Sequence, residues 1–170
     1  MSKIILILFF VAPYIMQAQL DSLKPYVVIS GIITDSTNKR LADVCITILE
    51  GNDTLKTMYT KSPGKYSNLR FNQGKLISLN FSKDGYISKR VIFDTKTNYS
   101  EGEAAPVTPI EIPIQLDTKQ NGVTYQTIEE DFYIGKIFID TATTRLVVDA
   151  AYLAEKRKQY NAILNYPSTE

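Results

Sequence analysis

The stretch Val28-Ile29-Ser30-Gly31-Ile32-Ile33-Thr34-Asp35 is followed by the polar Ser36-Thr37-Asn38-Lys39-Arg40 and then by Leu41-Ala42-Asp43-Val44-Cys45-Ile46-Thr47-Ile48-Leu49. Its two ends are runs of β-branched residues and its middle has turn composition, so it reads as a strand, a turn and a strand. Side chains alternate across a strand. Val44, Ile46 and Ile48 therefore share one face of the second run, and Cys45, Thr47 and Leu49 the other. In the first run Ile29, Gly31 and Ile33 line one face. A glycine inside a strand marks close backbone approach or a bulge.

Beyond Leu49 the chain keeps punctuating short apolar runs with turns. Gly51-Asn52-Asp53 turns it, and Leu55 to Thr60 is a weaker third strand. Ser62-Pro63-Gly64-Lys65 turns again before a short strand over Tyr66 to Phe71. Leu76 to Ser82 alternates most clearly, with Ile77, Leu79 and Phe81 inward and Ser78, Asn80 and Ser82 outward. After Lys83-Asp84-Gly85-Tyr86 comes a strand over Ile87 to Asp94, then fifteen residues from Thr95 to Pro109 without an apolar period. Ile110, Ile112, Ile114 and Leu116 alternate with Glu111, Pro113 and Gln115. Pro113 cannot donate to a ladder, which makes this last strand an edge or a bulged one. Seven short strands with regular turns predict a mainly β fold, a seven-stranded Ig/transthyretin-like sandwich.

The order of short motifs resembles the carboxypeptidase regulatory-like domain, a small transthyretin-like sandwich. Its apolar-x-Gly-x-apolar-x-Asp opening is met by Ile29, Gly31, Ile33 and Asp35. Its second-strand entry is met by Leu41 and Val44, with Asp43 in place of a Gly. Thr60, Gly64 and Tyr66 match its next motif, with Lys61 in place of an Asp. Ser82, Gly85 and Tyr86 meet its Ser-x-x-Gly-Tyr. The resemblance spans about residues 26–116. It implies a non-enzymatic envelope protein, since such domains precede TonB-dependent transporter barrels or accompany peptidases.

The N-terminus reads as an address. Met1-Ser2-Lys3 is followed by the unbroken apolar run Ile4 to Ala12, then Pro13, then Met16-Gln17-Ala18. That is the layout of a secretory signal peptide cleaved after Ala18. Nine apolar residues are too few to cross a bilayer, which takes about 20. The mature chain is expected to be exported, periplasmic or outer-membrane associated, and without a transmembrane segment. The domain plan is a signal peptide at 1–18, a lead-in at 19–25, the sandwich at 26–116, a loose polar linker at 117–131, a hairpin plus helix at 132–165, and a tail at 166–170. In the extension, Phe132 to Asp140 pairs with Arg145 to Asp149. Ala150 to Asn165 is then a helix capped by Asp149. Leu153, Tyr160, Ile163 and Leu164 fall on its apolar face. That face either covers the sandwich, for example along the Pro113 edge, or binds a protein partner.

Composition narrows the chemistry. A net charge of +1, which falls to about zero when Lys3 is removed, leaves no basic footprint for nucleic acid. The chain has no histidine and one cysteine, Cys45. Histidine-based nucleophile activation, histidine-ligated metals and an intrachain disulfide are therefore absent. No cofactor is expected. Ser36-Thr37-Asn38-Lys39 and Ser62-Pro63-Gly64-Lys65 match Ser-x-x-Lys. That chemistry needs a helix, and both matches lie in turns. Glu129-Glu130-Asp131 reads as a solvated acidic face. For a carbohydrate-binding module, the alternative function, Tyr59 and Tyr99 are the open aromatic candidates, while Tyr66 and Tyr86 belong to structural motifs. An enzyme is the disfavoured third reading.

Overall fold

The computed structural model describes residues 25–61, 63–96, 107–120, 123, 125 and 132–165. Among them the strands are β1 (Tyr26–Asp35), β2 (Cys45–Glu50), β3 (Asp53–Tyr59), β4 (Lys65–Asn72), β5 (Leu76–Ser82), β6 (Lys89–Asp94), β7 (Ile110–Glu111), β8 (Ile114–Leu116), β9 (Tyr133–Asp140) and β10 (Arg145–Val148), followed by helix α1 (Ala150–Asn165). They make a two-sheet sandwich with a C-terminal hairpin and helix. The smaller sheet has β1 at its centre, antiparallel to β4 and parallel to β7 and β8. The larger sheet runs β10-β9-β6-β5-β2-β3.

The opening stretch is not one continuous strand-turn-strand ladder, because β1 and β2 lie in different sheets. Residues 41–44 cross between them, and β2 begins at Cys45 rather than Leu41. Local partners make the crossing stable. Asp35 Oδ1 accepts the amides of Thr37 (2.8 Å) and Lys39 (2.9 Å) and the Thr37 hydroxyl (2.6 Å). Those bonds hold its carboxyl below the ordinary carboxylate range, the Thr37 hydroxyl contributing most. The buried Thr60 hydroxyl donates to the Leu41 carbonyl (3.0 Å) and accepts the Val44 amide (3.0 Å). The backbone is thus satisfied without a ladder. Asp43 has φ +56°, a left-handed conformation that favours glycine, which accounts for the Gly of the resembling motif at this position.

The core lies between the sheets. Val27, Ile29, Ile33, Leu69 and Phe71 face Ile46, Ile48, Ile77, Leu79, Phe81, Val91 and Phe93, all buried. Phe71 and Phe93 meet edge-on with centroids 5.4 Å apart. Burying a side chain such as Phe81 contributes about 1.5–3 kcal/mol. β3 is an edge strand, exposed along almost its whole length, and begins at Asp53, two residues before Leu55.

Gly31 serves close approach. A Cβ there would stand 2.1 Å from the Ile112 carbonyl oxygen and 2.7 Å from the Tyr66 hydroxyl. That hydroxyl donates to the same oxygen at 2.6 Å, and the Ile112 amide donates to the Ser30 carbonyl at 2.8 Å. The bulge is present too: the β1–β4 register shifts between Ile29 and Gly31. Burial pushes the Tyr66 phenol up, so it remains a neutral donor. The seventh strand read from Ile110 to Leu116 is broken. β7 and β8 are separate pieces along β1, parted at Ile112 and Pro113, where the missing amide of proline interrupts the ladder.

The C-terminal extension continues the larger sheet. β9 runs parallel to β6, with Val91 opposite Gly135 and Phe93 opposite Ile137, and β10 folds back antiparallel to β9. Asp140 closes the hairpin turn by accepting the Ala142 amide (3.0 Å) and the Thr143 hydroxyl (2.7 Å). Asp149 caps α1, accepting the Tyr152 amide at 2.9 Å. Phe132 precedes the strand and packs with Ile87, Tyr125 and Tyr160 in a second buried cluster. The described part of the 117–126 segment is also tied down rather than loose. The Ile87 amide donates to the Asp117 carbonyl (2.8 Å), the Lys119 amide donates to Gly85 (2.9 Å), and Tyr125 is buried.

Candidate functional site

The six-stranded sheet is wider than the smaller sheet that covers it. At its β6-β9-β10 end the remaining inner face is covered by α1, whose Leu153 Cδ1 would lie 3.8 Å from a Cβ at Gly135. Between α1 and the smaller sheet runs a groove of about 670 Å³. One wall is the six consecutive residues Ile110 to Gln115. Alternating side chains cannot all point the same way, so it is the backbone edge of β7 and β8 that faces the groove. Among the described residues that edge pairs only with β1. The opposite wall is a single helix face formed by Leu153, Arg157, Tyr160, Asn161 and Leu164. Val91, Gly135 and Ile137 form an apolar floor.

A polar clasp closes one end. Lys89 is buried, with its Nζ 2.7 Å from Asp117 Oδ2 and 4.7 Å from the centre of the Tyr160 ring. The Tyr160 hydroxyl donates to the same Asp117 oxygen at 2.7 Å. Burial, and then the bond to Asp117, push the Tyr160 phenol up. Strand β6, the residue after β8 and helix α1 therefore converge on one carboxylate. A buried lysine needs such partners. Size, apolar lining and a few placed polar groups are those of a binding cleft.

A second concavity, of about 660 Å³, lies at the other end of the larger sheet and is polar. Tyr59, 63% exposed, and the half-buried Tyr86 line it together with Asp43, Ser82, Lys83 and Asp84. Half-buried Cys45 also lines it, its sulfur 3.8 Å from the Thr47 hydroxyl.

The sequence-predicted residues distribute as follows. Tyr160 is buried in the chain's own second cluster, where Ile163 and Leu164 pack half-buried; Leu153 is half-buried on the groove wall. Tyr59 lies in the polar concavity, and Tyr99 and Glu129-Glu130-Asp131 lie outside the described residues. Ser36 and Lys39 are in the exposed turn after β1, and Ser62 lies outside the described residues. Among the described residues no three acidic or cysteine side chains gather as metal ligands, and no helix is long and apolar enough to cross a membrane. Sequence reading missed Lys89, Asp117, Gly135 and Arg157. The signal for Lys89 was its register: it shares the inward face of Val91 and Phe93, where a charge is out of pattern.

No protein-family model matches the chain, and no curated protein sequence matches it. Among solved structures it is similar to the 3-chlorocatechol 1,2-dioxygenase of Rhodococcus opacus (14% identity, TM-score 0.41, covering 56% of this chain and 61% of that one). It is similar to the 5-hydroxyisourate hydrolase of Klebsiella pneumoniae (13%, 0.39, 55% and 92%). A third similarity is to BcpA, the major pilin subunit of Bacillus cereus (13%, 0.40, 55% and 29%). The chain thus spans less than two thirds of the dioxygenase and of the pilin.

Proposed function

We propose that this chain is a non-enzymatic exported cell-envelope protein, a carboxypeptidase regulatory-like sandwich that mediates protein–protein contacts, in the setting of an outer-membrane TonB-dependent transporter system. The observation that carries the reading is the groove, with an open strand edge on one side, a helix face on the other and an apolar floor. Edges and grooves of this kind are where proteins take up one another's chain segments. The apolar leader supports export, and the ordered motifs from Ile29 to Tyr86 support the regulatory-like type. The test is site-specific photo-crosslinking from Gln115, exposed on the groove wall, in intact cells, with Lys56 on the distant β3 edge as control. A discrete protein adduct from Gln115 in the envelope fraction, absent from Lys56, is expected. Equal labelling from both, or a purely cytosolic protein, would refute the reading.

The polar concavity favours a second reading, a carbohydrate-binding module. Two tyrosines stand there among hydroxyl, carboxylate and ammonium groups, the combination that stacks on and hydrogen-bonds a sugar ring. Glycan-array binding that is lost in Tyr59→Ala while Gln115 crosslinks nothing would move the assignment to this site.

A further inference from the structure

We infer that α1 is a flap over the groove floor: it undocks as one unit from an intact sandwich, turning on Asp149, and Tyr160 is the latch that holds it shut. This goes beyond the protein-contact reading and holds whatever the groove takes.

The body does not need α1 to satisfy its backbone. β9, the strand beneath the helix, is paired on both sides, to β6 and to β10. One residue, Asp149, joins β10 to α1. It is fixed at both ends of its own short reach. Its amide donates to the Lys136 carbonyl at 2.9 Å, and its carboxylate accepts the Tyr152 amide at 2.9 Å. The first turn is therefore anchored, and the remainder of the helix turns about an element-terminal hinge.

Beyond that anchor the docking narrows to one side chain. Among the described side chains of α1, Tyr160 alone is buried; the larger aliphatic residues Leu153, Ile163 and Leu164 are half-buried. The Tyr160 ring lies beside Phe132, with centroids 6.0 Å apart, and 4.7 Å from the Lys89 ammonium. Its hydroxyl donates to Asp117 at 2.7 Å.

What stays behind on opening keeps the cost low. Lys89 lies on β6 and Asp117 just past β8, so neither leaves with α1 and their ion pair survives. No buried charge is stranded, and water reaching the pair eases its burial. The losses are one hydrogen bond, the ring contacts and the half-buried cover. The layer between the sheets is held far more firmly, by Ile46, Ile77, Leu79, Phe81 and Phe93, each no more than 1% exposed. The element with the fewest buried apolar contacts opens first. Once undocked, a sixteen-residue helix of mixed composition is marginal in water, so its amides exchange. The groove floor at Val91 and Ile137, 4% and 2% exposed with α1 in place, then becomes accessible.

The experiment is native-state hydrogen exchange on the full-length mature chain, at a pH where reclosing outruns exchange. The amides of residues 154–164 are expected to share one opening, at least about 100-fold more frequent than that of the β5 amides. Tyr160→Phe keeps the ring and removes the bond to the carboxylate, so α1 exchange should rise at least about tenfold. The β5 amides should rise by the same factor, because both openings are counted from the closed state, and the gap between them stays. Ile46→Val is the decisive variant. It weakens the layer between the sheets, which is intact whether the flap is shut or open. It should speed β5 by about two- to tenfold and leave α1 unchanged. If α1 is protected as strongly as β5, or Ile46→Val speeds both alike, the helix opens only with the whole chain and the inference falls. Unchanged α1 exchange in Tyr160→Phe overturns it as well, since Tyr160 would then be no latch.

Discussion

Replacing Asp117 with asparagine removes the charge on which three elements converge. In the wild type its Oδ2 lies 2.7 Å from the Lys89 ammonium and accepts the Tyr160 hydroxyl at 2.7 Å. Lys89 would be left buried with no counter-charge, its side chain only 10% exposed. Breaking a buried pair from one side costs about 3–5 kcal/mol. The Asp117 side chain is 26% exposed at the groove, so water screens part of this and about 2–3 kcal/mol is expected. With a urea slope of about 2 kcal/mol per molar, the midpoint should fall by about 1–1.5 M. Tyr160→Phe, which deletes a hydrogen bond to a carboxylate worth about 1.5–3 kcal/mol, should lower it by about 0.75–1.5 M. A double change, Lys89→Met with Asp117→Leu, removes both charges and should recover most of the loss, because apolar replacements of buried pairs are often neutral. Urea melts followed by circular dichroism, with hydrogen exchange on α1, give the readout. If Asp117→Asn leaves the urea midpoint unchanged, the clasp does not stabilise the fold.

Gly31→Ala forces a methyl against the Ile112 carbonyl and the Tyr66 hydroxyl, and overpacking plus the strained hydrogen bond should cost about 2–4 kcal/mol in a denaturant melt; Gly135→Ala should change stability by about 0.5 kcal/mol or less. Phe81→Ala should cost about 3–5 kcal/mol by the same measurement, and an unchanged midpoint would place that strand's face wrongly. Asp35 and Asp140 titrate below their ordinary value of 3.8 in the folded chain, so their stabilisation is present above that pH and is lost as pH falls through the lower folded values. Asp35→Asn should therefore flatten the acid limb of a stability–pH curve. A chain of residues 19–118 lacks the cover over Val91 and the partner strand of β6, and size-exclusion chromatography should show it associating where 19–170 stays monodisperse.

Period-2 patterning found the strands whose faces differ most in polarity. Ile77, Leu79 and Phe81 are buried as read, and so are Val44, Ile46 and Ile48. α1 was legible to the residue, because Asp149 supplies a cap and Asn165 ends the run before Pro167. The short motifs were legible as turn chemistry: Asp35 organises its turn by accepting three bonds, and Gly64 and Gly85 have positive φ. Sheet assignment was not legible. Whether Val28 to Leu49 folds back or crosses over depends on Thr60, nineteen residues beyond Leu41, satisfying the crossing backbone. The groove was invisible for the same reason. Its wall is backbone, which has no sequence signature, and its clasp joins Lys89, Asp117 and Tyr160 across 71 positions.

That wall also explains why the groove stays open. Two sheets facing each other close well because each sends side chains into the shared layer, about 10 Å thick. A helix with its side chains has a similar diameter, about 10–12 Å, so α1 fits beside the smaller sheet over the common floor. Their seam is different in kind. The side chains of β7 and β8 point above and below their sheet, with Ile114 and Leu116 inward and Glu111, Pro113 and Gln115 outward, and none points sideways toward α1. Only the helix and the floor can fill the seam. At the clasp they do, with Tyr160 from the helix and Lys89 from β6, both held by Asp117 just past the end of β8. Farther along, the helix offers Arg157, whose charge seeks water, and the floor offers Gly135, which has nothing to offer. Two substitutions, Gly135→Leu and Arg157→Leu, would let the chain close the seam on itself. The prediction is that this variant is at least as stable as the wild type to urea and no longer crosslinks a partner from Gln115; retained crosslinking would show that the contact surface lies elsewhere.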